Sequence, residues 1–235
     1  MPVTAVEREV AERLAAVRER IAAAARRAGR DPAEVVLVGA SKRQPPERLR
    51  AAWAAGLRVF GENRVQEAEE HREILPAEVD WHLIGPLQSN KAKRAVELFS
   101  TVHSVDRVKI AERLDREAAE LGIVLPCFLE VNLGGEASKS GFPVEGLAAR
   151  VAPLAGLSHL RVVGLMAIPP MAEDPEASRP WFRRLRGLRD ELGGRGEWRG
   201  WEGWLSMGMS GDFEAAVEEG ATHVRVGTSL FGARG

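Results

Sequence analysis

The chain has 235 residues, 45% hydrophobic and 29% charged, with 33 Lys plus Arg against 34 Asp plus Glu and a net charge of −1. That balance excludes a global attraction to nucleic acid or to acidic membranes, and one cysteine, Cys127, excludes an internal disulfide framework. With no leader-like segment and no long apolar span, the expectation is a soluble cytoplasmic protein with neither a membrane nor a nucleic-acid partner.

The opening TAVEREVAERLAAVRERIAAAARRAG repeats apolar residues at helical spacing with charges between, and Gly29 ends it. Strands are expected near 35–40, 57–60, 81–85, 101–105, 125–132, 160–167, 203–207 and 222–227. Helices are expected between them, near 46–55, 63–75, 88–99, 106–121, 143–155, 176–192 and 211–219. Such alternation implies a parallel sheet. Eight strand–helix units fit a closed (β/α)8 TIM-type barrel spanning 1–235 as one domain, with the doubly wound open sheet as competitor. The final SLFGARG leaves no room for an ordinary closing helix, and the opening helix can fill that gap in the outer ring. An open sheet gives no reason for an eighth strand with nothing after it.

Two segments have bland readings. LGGRGEWRGWEGW, residues 192–204, reads as a surface loop whose indoles pack on the barrel wall. The Arg-rich RRLRGLRD reads as a solvated helix face.

The first strand, VVLVGASKRQPP at 35–46, ends in a lysine, and the whole chain holds only five. An arginine keeps its proton, whereas a lysine in a dry pocket can lose it and attack a carbonyl. Lys42 shares a face with Val38 and Ala40 if the strand runs regularly. Barrel sites gather at the C-terminal strand ends, and phosphate sites favour the loops after the seventh and eighth strands. Those loops, LSMGMSGD and RVGTSLFG, carry glycines and the hydroxyls of Ser206, Ser210, Thr228 and Ser229. A lysine facing a phosphate site suggests a phosphorylated aldehyde held as a Schiff base, and pyridoxal 5′-phosphate has both features.

Arg225 alternates with His223 and Gly227 on the eighth strand. It reads as a partner of the pyridine nitrogen, which its charge would keep unprotonated, or as a rim ion pair with Glu130 or Glu62. Asn63 reads as a helix N-cap or as a group near the cofactor's phenolic oxygen. The five histidines lack metal-ligand spacing, and His82 and His103 read as hydrogen-bonded core residues. Cys127 reads as a small buried hydrophobe.

GASK, FGENRVQEA, WHLIGPLQSNK, EVNLGGEASKSG, VGLMAIPP and LSMGMSGDFEAAVEEGATHVRVGTSLFGAR follow one another across nearly the whole chain. In these motifs the sequence resembles the pyridoxal 5′-phosphate homeostasis proteins, whose fold is similar to the N-terminal barrel of bacterial alanine racemase. The resemblance implies that Lys42 carries the cofactor as a Schiff base and that Ser206, Gly227 and Thr228 hold its phosphate. It also implies Arg225 against the ring nitrogen and Asn63 near the ring. Family members are thought to carry or buffer the cofactor without established catalysis, so apo-forms of enzymes using it are the expected recipients, and a monomer is expected. Two departures stand out: Gly39 where alanine is more usual, expected to loosen packing behind Lys42, and EGW before Leu205, expected to reshape the approach to the phosphate loop.

A racemase-like enzyme is the alternative. Alanine racemases pair the lysine with a tyrosine from an additional domain, and this chain has no tyrosine. That excludes a two-base racemase of that type and leaves a one-base reaction through Lys42. A phosphosugar-binding barrel with a structural lysine is a minor third reading. Lys139, in GGEASKSG, stands as a second candidate docking amine.

Overall fold

The structure is a computed structural model and describes residues 3–136, 139–170 and 174–232. Nine strands appear: β1 (Val36–Ala40), β2 (Val59–Glu62), β3 (Asp80–Leu83), β4 (Thr101–Val105), β5 (Leu125–Asn132), β6 (Phe142–Pro143), β7 (Leu160–Met166), β8 (Trp204–Ser206) and β9 (His223–Val226). Eight of them form one ring of parallel neighbours in the order β1, β2, β3, β4, β5, β7, β8, β9, with β9 returning to β1. The expected closed barrel is therefore observed. β6 was not expected; it pairs with Val131 and Asn132 at the end of β5.

Around the ring run α1 (Ala5–Arg27), α2 (Pro46–Ala54), α3 (Val65–Arg72), α4 (Ala92–Leu98), α5 (Val108–Glu120), α6 (Leu147–Val151), α7 (Arg179–Gly193), α8 (Phe213–Glu218) and α9 (Thr228–Phe231). α1 starts at a capping box in which Glu7 N–H donates to Thr4 Oγ1 and Thr4 N–H donates to Glu7 Oε2. It buries Val10, Leu14, Val17 and Ile21 at three- and four-residue spacing and packs against α2, α8 and α9. α9 has only four residues, so α1 does complete the outer ring.

Two helix expectations change. The helix expected over 143–155 is shortened because Pro143 belongs to β6 and Gly146 turns left-handed at φ 70° before α6. Pro153 then lies in a 3-10 turn, Ala152–Gly156. α3 begins at Val65 with Arg64 at the cap, so Asn63 does not cap it.

The period-two alternation of the strands separates two fillings. Outward residues such as Trp81, Leu83, Leu129, Leu205, Val224 and Val226 join one large apolar core under the helices. Phe128, Val163 and Met166, with Trp204 packed on them, form a separate cluster. Trp204 thus departs from its expected place on the wall: its ring lies 5.2 Å from that of His223 and 6.4 Å from that of Phe128. Trp198 and Trp201 stack on each other at 5.9 Å, and both pack against the outer core. The Arg-rich stretch presents Arg183, Arg184 and Arg186 to solvent as expected, while Arg183 and Arg186, with Arg179, also reach the buried Glu219 at 2.9, 3.2 and 3.2 Å.

Both sequence departures resolve differently from expectation. A Cβ at Gly39 would stand 2.5 Å from Leu57 Cδ2 and 3.2 Å from Leu230 Cδ2, so buried leucines fill that space. The EGW segment leads into the first residue of β8, whereas the phosphate-type loop follows its last. Gly39→Ala is expected to lower stability by about 1 kcal/mol, because Leu57 must shift within a packed layer. Urea unfolding midpoints measure this, and an unchanged or higher midpoint would contradict the packing assigned here.

Candidate functional site

A cavity of about 350 Å³ opens at the C-terminal ends of the strands, within the size range usual for small-molecule sites. Lys42 and Gln44 enter it from the turn after β1, and Asn63 from the end of β2. Ser210 comes from the loop after β8, Arg225 from β9, and Gly227 and Thr228 from the junction with α9. Of the residues singled out in sequence, Lys42, Asn63, Arg225, Gly227 and Thr228 share this cavity; Ser206 does not line it.

Lys42 is partly exposed, and it follows Ala40 on the inward side of β1. Its neighbour Arg43 has φ 55°, the one non-glycine residue in the left-handed region among those described. Ser41 points the other way, its Oγ donating to Glu62 Oε1 at 2.5 Å. His71 Nδ1 lies 2.6 Å from the same oxygen. Burial and the Glu62 charge raise the Glu67 carboxyl above its ordinary pKa. Asn63 sits against Gly85, where a Cβ would come within 2.5 Å of Asn63 O; only glycine lets the two chains approach so closely.

On the neighbouring strand end, beside Ala40, Gly227 N–H and Ser229 N–H both donate to Ser210 Oγ, each at 3.2 Å. Two backbone donors converging on one oxygen form a cradle suited to an anion. With the Lys42 amine and the Arg225 guanidinium lining the same cavity, the donor set fits a phosphorylated aromatic aldehyde. Ser210 was noted in sequence only as one of several loop hydroxyls. Its signal was the flanking Gly208 and Gly211, which free the loop to bring the hydroxyl to β9.

Arg225 is buried and touches no carboxylate among the described residues, so the expected alternative of a rim ion pair with Glu62 or Glu130 does not form. Its Nη1 donates to Ser206 Oγ at 2.6 Å and its Nη2 to Ala167 O at 3.0 Å. Burial lowers its pKa to about 10, which leaves it charged at neutral pH. Burial first, then the Asp106 charge, raise Glu130 to about 7, while Arg225 pulls the other way. His82 and His103 are buried and hydrogen-bonded, as expected; that they bond to each other was not foreseen. Cys127 is buried among apolar residues, and its thiol is pushed up by that burial. Lys139 pairs with Glu136 at 2.7 Å and does not line the Lys42 cavity.

Burial, followed by the nearby His82 and Arg225, lowers His223 from 6.5 to about 3. Between those values the unfolded chain binds a proton that the native state refuses, so this histidine withdraws stability as pH falls through 6.5. From pH 7 to pH 5 the wild type should lose about 2 kcal/mol relative to His223→Gln. Glu130 acts with the opposite sign and cancels in that comparison. Paired urea titrations at the two pH values test it, and a pH-independent difference would contradict the burial.

The sequence matches the alanine racemase N-terminal domain family over residues 13–235. It is 46% identical to the pyridoxal phosphate homeostasis protein of Aquifex aeolicus, over 95% of this chain and 97% of that one. It is 42% identical to the protein of the same name from Escherichia coli K12, over 96% and 97% respectively. Among solved structures it is similar to PipY of Synechococcus elongatus with pyridoxal phosphate bound: TM-score 0.83 and 42% identity, covering 95% of this chain and 100% of that one. Alanine racemase from Bartonella henselae, at 13% identity and TM-score 0.72 over 97% of this chain and 59% of that one, shares the fold. With its barrel closed and its motifs in register over nearly the full length, the chain belongs to the pyridoxal phosphate homeostasis protein family, on the fold of the alanine racemase N-terminal domain.

Proposed function

We propose that this chain, read as one domain over 1–235, binds pyridoxal 5′-phosphate covalently through Lys42. On this reading it serves cofactor homeostasis in the cytoplasm as a carrier without turnover. One observation carries the reading: Lys42, Arg225 and Gly227 share one cavity with Ser210, on whose hydroxyl the Gly227 and Ser229 amides converge. Bound there, the cofactor supplies an aldehyde carbon open to a primary amine.

The chain's own groups have distinct parts in this reading. Gly227 and Ser229 donate their amides, and Ser210 and Thr228 their hydroxyls, to the phosphate. Ser206, whose hydroxyl is engaged by Arg225, passes the phosphate role expected of it to Ser210. Arg225 faces the ring nitrogen and, still charged, keeps it unprotonated, which weakens the ring as an electron sink. Asn63 lies near the ring from the end of β2. The weakened sink and the absence of any tyrosine from the sequence support a carrier over a racemase of the two-base type. Release to apo-enzymes belongs to the same reading. Among the described residues no helix is long and apolar enough to cross a membrane.

Borohydride reduction of the loaded protein followed by peptide mass spectrometry should place the pyridoxyl label on Lys42, and Lys42→Ala should abolish the bound absorbance band. A label on Lys139 would overturn the assignment. Carrier and enzyme separate in an amino-acid panel with chiral product analysis: the carrier should not exceed the rate of the free cofactor, and turnover above it would reject the proposal.

A further inference from the structure

The histidines form a line through the barrel. Arg225 Nη1 donates to Ser206 Oγ at 2.6 Å, and His103 Nδ1 stands 2.7 Å from that hydroxyl. His103 Nε2 is 2.9 Å from His82 Nδ1, and His82 Nε2 is 3.4 Å from Asp80 Oδ2, the longest link. The line begins at the cavity wall and ends on a carboxylate whose side chain is 45% exposed, at the N-terminal end of β3. Phe128 packs 4.4 Å from the His103 ring, so its middle runs against an aromatic wall.

The chemistry of its two ends gives this line a single sense. A guanidinium only donates, so Ser206 Oγ accepts from Arg225 and must give its own proton to His103 Nδ1. His103 then carries its proton on Nε2 and donates it to His82 Nδ1. The remaining His82 proton is on Nε2, facing Asp80, which only accepts as a carboxylate. Every donor therefore points away from Arg225 and toward the far mouth. The alternative, His103 donating from Nδ1, fills both lone pairs of Ser206 Oγ and leaves the serine proton without an acceptor among the described residues.

We propose that Asp80, His82, His103 and Ser206 are positioning residues, a one-way hydrogen-bond chain that aims the Arg225 guanidinium at the cavity and links it to a solvent-facing carboxylate at the opposite mouth. The chain stands on its own geometry; its effect on a bound ring rests on reading the cavity as the pyridoxal phosphate site. The charged and titratable groups facing it are Asp80 and His82 on β3, His103 on β4, Glu130 on β5, Asp212 at the start of α8, and His223 and Arg225 on β9. Burial holds His103 well below its ordinary pKa, with His82, His223 and Arg225 adding to the effect. The His82 hydrogen bond lowers the pKa of Asp80. Both shifts favour the one sense derived from geometry.

Two measurements test the proposal. In cofactor-free, 15N-labelled protein at neutral pH, the ring-nitrogen shifts of His82 and His103 should both report the Nε2–H tautomer. An Nδ1–H tautomer or an imidazolium at either residue would overturn the chain. With pyridoxal phosphate added, Ser206→Ala should weaken binding roughly tenfold, as loss of a supporting hydrogen bond does at other sites. It should also move the pH midpoint of the bound absorbance band by about one unit, and Ser206→Thr should restore it. Asp80→Asn, at the half-exposed far end, should move the midpoint the same way and serves if Ser206→Ala does not fold. Midpoints unchanged in both variants would overturn the positioning role. A wild type that binds no pyridoxal phosphate would remove the reading of the site, while the tautomers still decide the chain.

Discussion

The structure depends on a cation placed inside a closed barrel where no carboxylate among the described residues touches it. Arg225 is 4% exposed, and its described contacts are a serine hydroxyl and the carbonyl of Ala167. Taking a charge out of water costs several kcal/mol unless dipoles replace the solvent. Here a hydroxyl and a carbonyl replace it directly, two imidazoles extend that support, and Glu130 and Asp212 act through space. The same arrangement leaves the guanidinium on the cavity wall, committed in direction and still charged.

A barrel tolerates such an interior because its stability comes from elsewhere. The apolar layer between strands and helices is continuous, from Val10 and Leu14 of α1 through Val224 and Val226 of β9 to Phe231 of α9. The space inside the ring is only partly apolar, with Phe128, Val163 and Met166 as its buried hydrophobic cluster. Inward positions are thus free to carry His82, His103, Ser206, His223 and Arg225 without breaking the outer core. Barrel closure supplies the other requirement: it brings residues from β3, β4, β8 and β9 into one hydrogen-bonded column, which an open sheet would spread over a face.

The repeating part of this design was legible in sequence. Alternating apolar runs and amphipathic segments showed the eight barrel strands, though not β6, and the position of Lys42 after Val38 and Ala40 identified an inward face. What escaped were features set by contacts between distant segments. His82 and His103 are 21 residues apart, and His103 and Ser206 are 103 apart, so no local spacing announces their pairing. Trp204 was read with the tryptophans of its loop, although strand alternation puts it on the inner side with Ser206. Asn63 looked like a cap because a helix follows it, but the helix begins two residues later and frees the side chain for the cavity. Ser210 and Ser206 are equivalent in composition; only the turn at Met207–Met209 decides which faces the amides of β9 and α9.

Lys42 sits where access and direction are balanced. It is partly exposed, and the cavity it lines has Ile168 and Met209 at its border, each 39% exposed. On the proposed reading, a covalent store must let an aldehyde enter and water return, since forming a carbon–nitrogen double bond from a carbonyl and an amine releases one water and reversing it consumes one. An open mouth serves that exchange. An enzyme of the same fold gains instead from closing the site, because excluding water strengthens every interaction on the reacting atoms. The left-handed backbone at Arg43 turns the chain sharply after Lys42. The Ser41–Glu62 hydrogen bond fixes the residue before it, so the backbone at Lys42 is held from both sides. The fixed parts of the site are thus the anion cradle and the guanidinium, and on the proposed reading the open part is the side from which the cofactor would come and go.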